Sequence, residues 1–120
     1  MKLKYKYLFD KKFLDSLKYL SSLSLPSKQA VRLVRLVKDV YKEQTIAFTV
    51  RDRMMTEFGV SDFKDNEPIM EDINKKEEFK QNVRDLMEEE FEVSVDKITL
   101  PESVDISADM ILILEQIIEV

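Results

Sequence analysis

The stretch LPSKQAVRLVRLVKDVYKEQTIAFTVRDRMMTEFG, Leu25 to Gly59, constrains the fold more than any other part of the chain. It opens beside a proline, closes on the only glycine in the protein, and holds no strong breaker in between. Such a run is predicted to form one long helix, or two helices in line. Pro26 suits the first helical position, where its missing N–H is not needed and its fixed φ matches the helix. Gly59 suits the left-handed residue just past the end, with Val60 folding back onto Met55. Apolar residues recur at Ala30, Val31, Leu33, Val34, Val37, Val40 and Tyr41, which is helical spacing with a wide stripe. A less regular run follows at Ile46, Phe48, Val50, Met54, Met55 and Phe58, and Gln44–Thr45 between the two suggests a bend.

The opposite side of the first half is basic. Lys28, Arg32, Arg35, Lys38 and Lys42 recur at helical intervals and share one face. Either this is a solvated face or it is an anion-binding surface, and no aromatic residue interleaves to give nucleic acid a stacking platform. The rest of the chain has the opposite character. Residues 1–42 carry eleven Lys/Arg against three Asp/Glu, a balance of +8. Residues 43–120 carry eight against twenty-one, a balance of −13, which together give the net −5. Such a division fits nucleic-acid binding by one half, or two halves that face each other. The facing arrangement is expected, because both halves read as parts of one fold.

The missing residue types exclude several chemistries. Without Cys there are no disulfides, thiolate nucleophiles or Cys-ligated metals. Without His the commonest general base and transition-metal ligand are gone. A single glycine leaves no Gly-rich phosphate loop and no nucleophile elbow. The protein is therefore expected not to be an enzyme and to use no cofactor. No apolar run approaches the roughly 18 residues of a membrane span, and no apolar segment follows the N-terminal lysines as in a secretory signal. At 120 residues the chain is expected to form a single domain, 1–120.

Taken in order, Met1, Leu3, Tyr5 and Tyr7 alternate with Lys2, Lys4 and Lys6, the period of a half-buried strand over residues 1–8. Asp10 is a good N-cap for a helix carrying Phe13, Leu14, Leu17 and Leu20. Residues 60–72 are acidic, contain Pro68 and read as a loop. Its carboxylates miss the spacing and glycine of an EF-hand, so no metal site is expected. Asn74 and Glu77 suggest a capping box for a helix through Phe79, Val83, Leu86 and Met87. That helix ends in Glu88, Glu89 and Glu90, unfavourable at its negative end unless the tract frays or meets cations. Phe91, Val93 and Val95 alternate with Glu92, Ser94 and Asp96, and Ile98 and Leu100 resume out of phase. Pairing of this strand with residues 1–8, with Lys2, Lys4 and Lys6 facing Glu92 and Asp96, is expected from the opposite charges. Ser107 is an N-cap for a last helix reaching the C-terminus and apolar over most of its circumference. Met110, Ile111, Leu114 and Ile118 form its core stripe, leaving Leu112, Ile113 and Ile117 as a candidate protein interface.

The expected fold class is therefore α+β and mostly helical: about four helices, one long, with a small two- or three-stranded sheet formed by the N-terminal strand and residues 91–100. The segments LKYLSSLSLPSKQAVRLVRLVKDVYKE, RDRMMTEFG, EFKQNVRDLMEEEFEV, ITLPE and ISADMILILEQII together resemble a family of small proteins of tailed bacteriophages and prophages. The resemblance is one of pattern, without a catalytic motif, and that family offers no established activity to transfer. It implies a phage origin, action in the host bacterial cytoplasm or within the virion, and a non-enzymatic role with other phage proteins or through self-association. A morphogenesis accessory, such as a tail or connector component or an assembly chaperone, fits small size and divided charge. The alternative is a nucleic-acid-binding or host-directed regulatory phage protein using the basic face, against which stands a pI near 4.9.

Overall fold

A computed structural model describes residues 1–120. The fold is α+β and mostly helical, with four helices and three separate two-stranded ladders. Strand β1, Lys2–Lys4, leads through a 3-10 turn, Tyr5–Phe9, into helix α1, Lys11–Ser21. Asp10 caps α1 as expected, its carboxylate accepting from the backbone N–H groups of Lys12 and Phe13. Helix α2, Ser27–Phe58, is unbroken, and the bend expected at Gln44–Thr45 does not interrupt it. The Thr45 hydroxyl instead donates to the carbonyl of Tyr41 within the helix. Pro26 sits one position before the first turn, at the N-cap. Gly59 takes the left-handed conformation, φ 65°, and its N–H closes onto the carbonyls of Met55 and Thr56.

Residues 60–72 are not a loop. They form a hairpin of β2, Val60–Lys64, and β3, Glu67–Met70. The turn residues Asp65 and Asn66 both have positive φ, 52° and 65°, the requirement of a two-residue turn whose twist matches the strands. Pro68 is tolerated because a two-stranded ladder has only edge strands. A 3-10 turn capped by Asp72 then leads into helix α3, Lys76–Glu88. The capping box expected from Asn74 is absent, because Asp72 takes that role one turn earlier and accepts from the Asn74 N–H.

Strand β4, Glu90–Glu92, lies antiparallel to β1, with Lys2 opposite Glu92, Leu3 opposite Phe91 and Lys4 opposite Glu90. The expected pairing of opposite charges is present, but shorter and shifted. Lys6 and Asp96 stand outside it, because the chain leaves the strand at Tyr5. Tyr5 and Leu8 are both buried, and a spacing of three suits a 3-10 turn where a strand would point them to opposite faces. The glutamate tract does meet a cation, with Lys4 Nζ donating to Glu88 Oε2 at 2.6 Å.

The expected single sheet over residues 91–100 divides. Strand β5, Ile98–Thr99, leaves β1 and pairs in parallel with β6, Ile118–Glu119. The last helix accordingly stops early. Helix α4 is only Ala108–Leu114, capped by Ser107 as expected, and the chain turns at Glu115 to carry Ile117 and Ile118 inward. Nineteen buried residues form the main core, drawn from residues 3–47, from Leu86 to Leu100 and from Leu114 to Ile118. Val60 and Phe79 lie outside that cluster, where Phe58 and Phe63 pack on Phe79 at 5.6 and 6.0 Å between ring centroids.

Candidate protein-docking groove

Helix α2 carries two adjacent apolar stripes. Leu33, Leu36 and Val40 are buried in the core. Each is followed by another apolar residue, Val34, Val37 and Tyr41, which lies about 100° further round the helix. Those three face away from the core's centre. Val34 is 55% exposed and Tyr41 is 49% exposed, while Val37 is half-buried. The turn between α1 and α2 then folds Leu23 and Leu25 alongside this second stripe. A groove of about 320 Å³ results, walled by Leu23, Leu25, Ala30, Leu33, Val34 and Val37, with Ser21 and Lys38 at its edges. Its volume lies at the low end of the roughly 300–1,000 Å³ typical of ligand sites. The Ser21 hydroxyl is already committed to the Leu17 carbonyl at 2.9 Å. Lys38 is therefore the one charged group on the wall, and the groove can receive apolar side chains but has no acid–base pair.

Of the five basic residues of α2 only Lys38 lines this groove, and Arg35 joins it in a shallow pocket alongside. Lys28, Arg35, Lys38 and Lys42 are exposed and Arg32 is half-buried. None of the five enters any of the five ion pairs of the structure. Arg32 and Arg35 also line a separate polar cleft of about 470 Å³ with Glu92, Ser94 and Asp96. Across that side Asp39 accepts from both the N–H and hydroxyl of Ser94, at 2.9 and 2.7 Å. The arginines thus face acids of the chain's second half, whereas Lys28, Lys38 and Lys42 do not line this cleft.

Titratable groups elsewhere serve the fold. The Tyr5 hydroxyl donates to Glu43 Oε2 at 2.7 Å, and burial, aided by that carboxylate, pushes the phenol up to about 12. Glu67 bridges Lys76 and Lys80, both at 2.8 Å, and their hydrogen bonds hold its carboxyl down at about 2. The hydrogen bond between Lys4 and Glu88 raises the one and lowers the other. The carboxylates of residues 60–72 do not gather into a group able to hold a metal ion.

The interface expected on the last helix is only partly available. Leu112 is 65% exposed, but Ile113 is half-buried against the core and Ile117 is fully buried. The reason is the early end of α4: the Ile117 N–H bonds to the Leu114 carbonyl, and the Ile117 carbonyl accepts from Ile98 at 2.8 Å. Ile117 is therefore withdrawn as an interface residue. Conversely, the groove residues Leu23, Leu25, Val34 and Val37 were not singled out as a site by sequence. The available signal was the width of the stripe from Ala30 to Tyr41, more apolar residues than one buried face can cover.

No helix is long and apolar enough to cross a membrane. Comparison with family models, with curated proteins and with solved structures gives no match.

Proposed function

We propose that this protein is a non-enzymatic interaction module that docks a protein partner in the groove between α1 and α2. The observation that carries this reading is the apolar groove walled by Leu23, Leu25, Val34 and Val37 with Lys38 on its wall, on a helix that also exposes Lys28 and Lys42, all three lysines free of ion pairs. Exposed apolar area ringed by charge is how soluble proteins present docking surfaces. The fitting partner offers apolar side chains flanked by carboxylates. The resemblance to small phage proteins supplies the setting: a morphogenesis accessory, a tail or connector component or an assembly chaperone, acting in the host cytoplasm or in the virion.

A second reading, binding of nucleic acid by the same lysines, is favoured by their exposure and lack of partners. It is opposed by the acids Glu92 and Asp96 beside Arg32 and Arg35, within the roughly 10 Å over which charges act at 0.1 M salt. A photo-crosslinking residue at Val34 separates the two when the protein is produced in the cells where it acts. Protein adducts at Val34, absent from the same probe at exposed Glu57, are expected. Adducts to nucleic acid, together with a salt-dependent mobility shift abolished by Lys38→Glu and Lys42→Glu, would favour the second reading. Absence of any protein adduct at Val34 would overturn the first.

A further inference from the structure

We propose that the groove is filled by the β2–β3 hairpin end of a second copy, so that the protein assembles head to tail. This rests on the reading of the groove as a protein-docking site and names its occupant. The argument is that the chain carries two complementary patches and cannot join them to each other.

The first patch is the groove together with the shallow pocket beside it, with exposed Val31 and Val34 and the cations Arg35 and Lys38, neither of them in an ion pair. The second is the hairpin end. There Ile69 and Ile73 are exposed, Ile73 the more at 77%, while Phe63 lies on the opposite face of the ladder with Pro68 and packs on Phe79. The same segment exposes four carboxylates, Asp62, Asp65, Glu71 and Asp72, against two cations, Lys64 and Lys75, none of them in an ion pair, so it is acidic on balance. Four of the protein's eleven exposed large hydrophobic residues, Val31, Val34, Ile69 and Ile73, thus fall in these two places, one basic and one acidic. Apolar contact with opposite rims is the pattern that fixes orientation in a complex.

The rigid helix between them decides the geometry. Val34 and Gly59 lie on one unbroken helix, and the rise of 1.5 Å per residue separates them by about 37 Å. The molecule is 54 Å long and 26 Å wide. The hairpin end therefore cannot reach its own groove, and only another copy can supply it. In a head-to-tail contact each copy leaves one groove and one hairpin end free, so the assembly grows into an open chain or closes into a ring, unlike a reciprocal two-fold dimer, in which each copy's hairpin end would fill the other's groove.

The test is a mixing experiment read by sedimentation velocity. The wild-type chain should give a concentration-dependent series of species beyond the dimer. Val34→Glu blocks the groove and Ile69→Glu blocks the hairpin end. Both positions are exposed, and matching circular dichroism spectra confirm folding. Ile73→Glu, at a more exposed position, serves as a second hairpin variant. Each variant alone should sediment as a monomer, with the dissociation constant raised at least about tenfold. Mixed in equal amounts, Val34→Glu and Ile69→Glu should form a dimer and nothing longer, since one free groove meets one free hairpin end. Added salt should shorten the wild-type chains, because charge steers the contact.

A wild-type protein that stops at a dimer, single variants that still dimerise, a mixture that stays monomeric, or chains that lengthen with salt would overturn the proposal. A wild-type protein that stays monomeric while Val34 crosslinks to a different protein would overturn self-assembly and leave the docking groove standing. Monomeric protein with no protein adduct at Val34 would overturn both.

Discussion

The body of the molecule and its hairpin end are both built against α2, yet they are held by different forces. In the body, α1, β1, β4, β5, α4, α2 as far as Ala47 and Leu86 near the end of α3 contribute to one cluster of nineteen buried residues. At the hairpin end the buried set is small: Val60, Pro68 and Phe79, with Phe58 and Phe63 leaning on Phe79. What the hairpin lacks in core it replaces with local devices. These are a two-residue turn of positive φ, the Gly59 cap, and Glu67 clamped by two lysines of α3. Burial is cooperative and ties distant segments together, whereas turns and exposed ion pairs stabilise only their surroundings. The body should therefore unfold as one unit, and the hairpin end should open independently beneath it.

Removing the same side chain from each region tests this most severely. Phe13 is fully buried in the body, and Phe13→Ala should cost about 3–5 kcal/mol in urea denaturation. Phe79 is equally buried at the hairpin end. Phe79→Ala should cost less than half as much globally, because the loss is capped by the small free energy of opening that region. Amide exchange should show the difference directly, with protection lost over residues 60–70 in Phe79→Ala and retained through α1. Equal global losses would merge the two regions into one cooperative unit.

A smaller effect is expected at the joint. A Cβ added to Gly59 would meet nothing within 4 Å, so Gly59→Ala carries only the cost of a left-handed backbone. That cost is about 1–2 kcal/mol. It should appear as faster exchange at the end of α2 and in the hairpin, with the body unchanged.

The smallest effects should come from pH. The Glu67 carboxyl titrates at about 2 when folded against 4.5 unperturbed. Its contribution is complete above pH 4.5 and is lost as the pH falls through about 2. The Tyr5 phenol, in the body, titrates at about 12 when folded against 10.0. Its contribution is complete below pH 10 and is lost as the pH rises through about 12. Acid should thus loosen the Glu67 clamp at the hairpin end along with the exposed Lys4–Glu88 contact of the body, whose carboxyl is also held low, whereas alkali should act on the body, as read by backbone amide shifts at pH 3 and pH 11. Glu67→Gln should abolish the acid response of residues 60–70, and Tyr5→Phe the alkaline one.

The sequence by itself determined the features set by neighbours along the chain. Asp10 and Ser107 are caps because a short oxygen acceptor reaches the N–H groups two or three residues on, whatever packs nearby. Gly59 ends α2 because no other residue of the chain takes positive φ without cost. The β1–β4 pairing was legible too, since lysines alternating with apolar residues match glutamates doing the same. The Asp65–Asn66 turn was also written locally, although the surrounding acids and Pro68 made the segment read as a loop. Tertiary structure alone decided the rest. Ile117 and Ile118 continue a helical pattern, but helix and strand offer their backbone equal numbers of hydrogen bonds. The strand was chosen because pairing with Ile98 buries Ile117 and Ile118 in the core. Likewise, the eight apolar residues from Ala30 to Tyr41 do not say which of them the core will cover. Once α1 and β5 had packed on Leu33, Leu36 and Val40, no element was left to cover Val34 and Tyr41. The exposed stripe is thus a consequence of how many neighbours fit around one helix, a quantity that exists only in three dimensions.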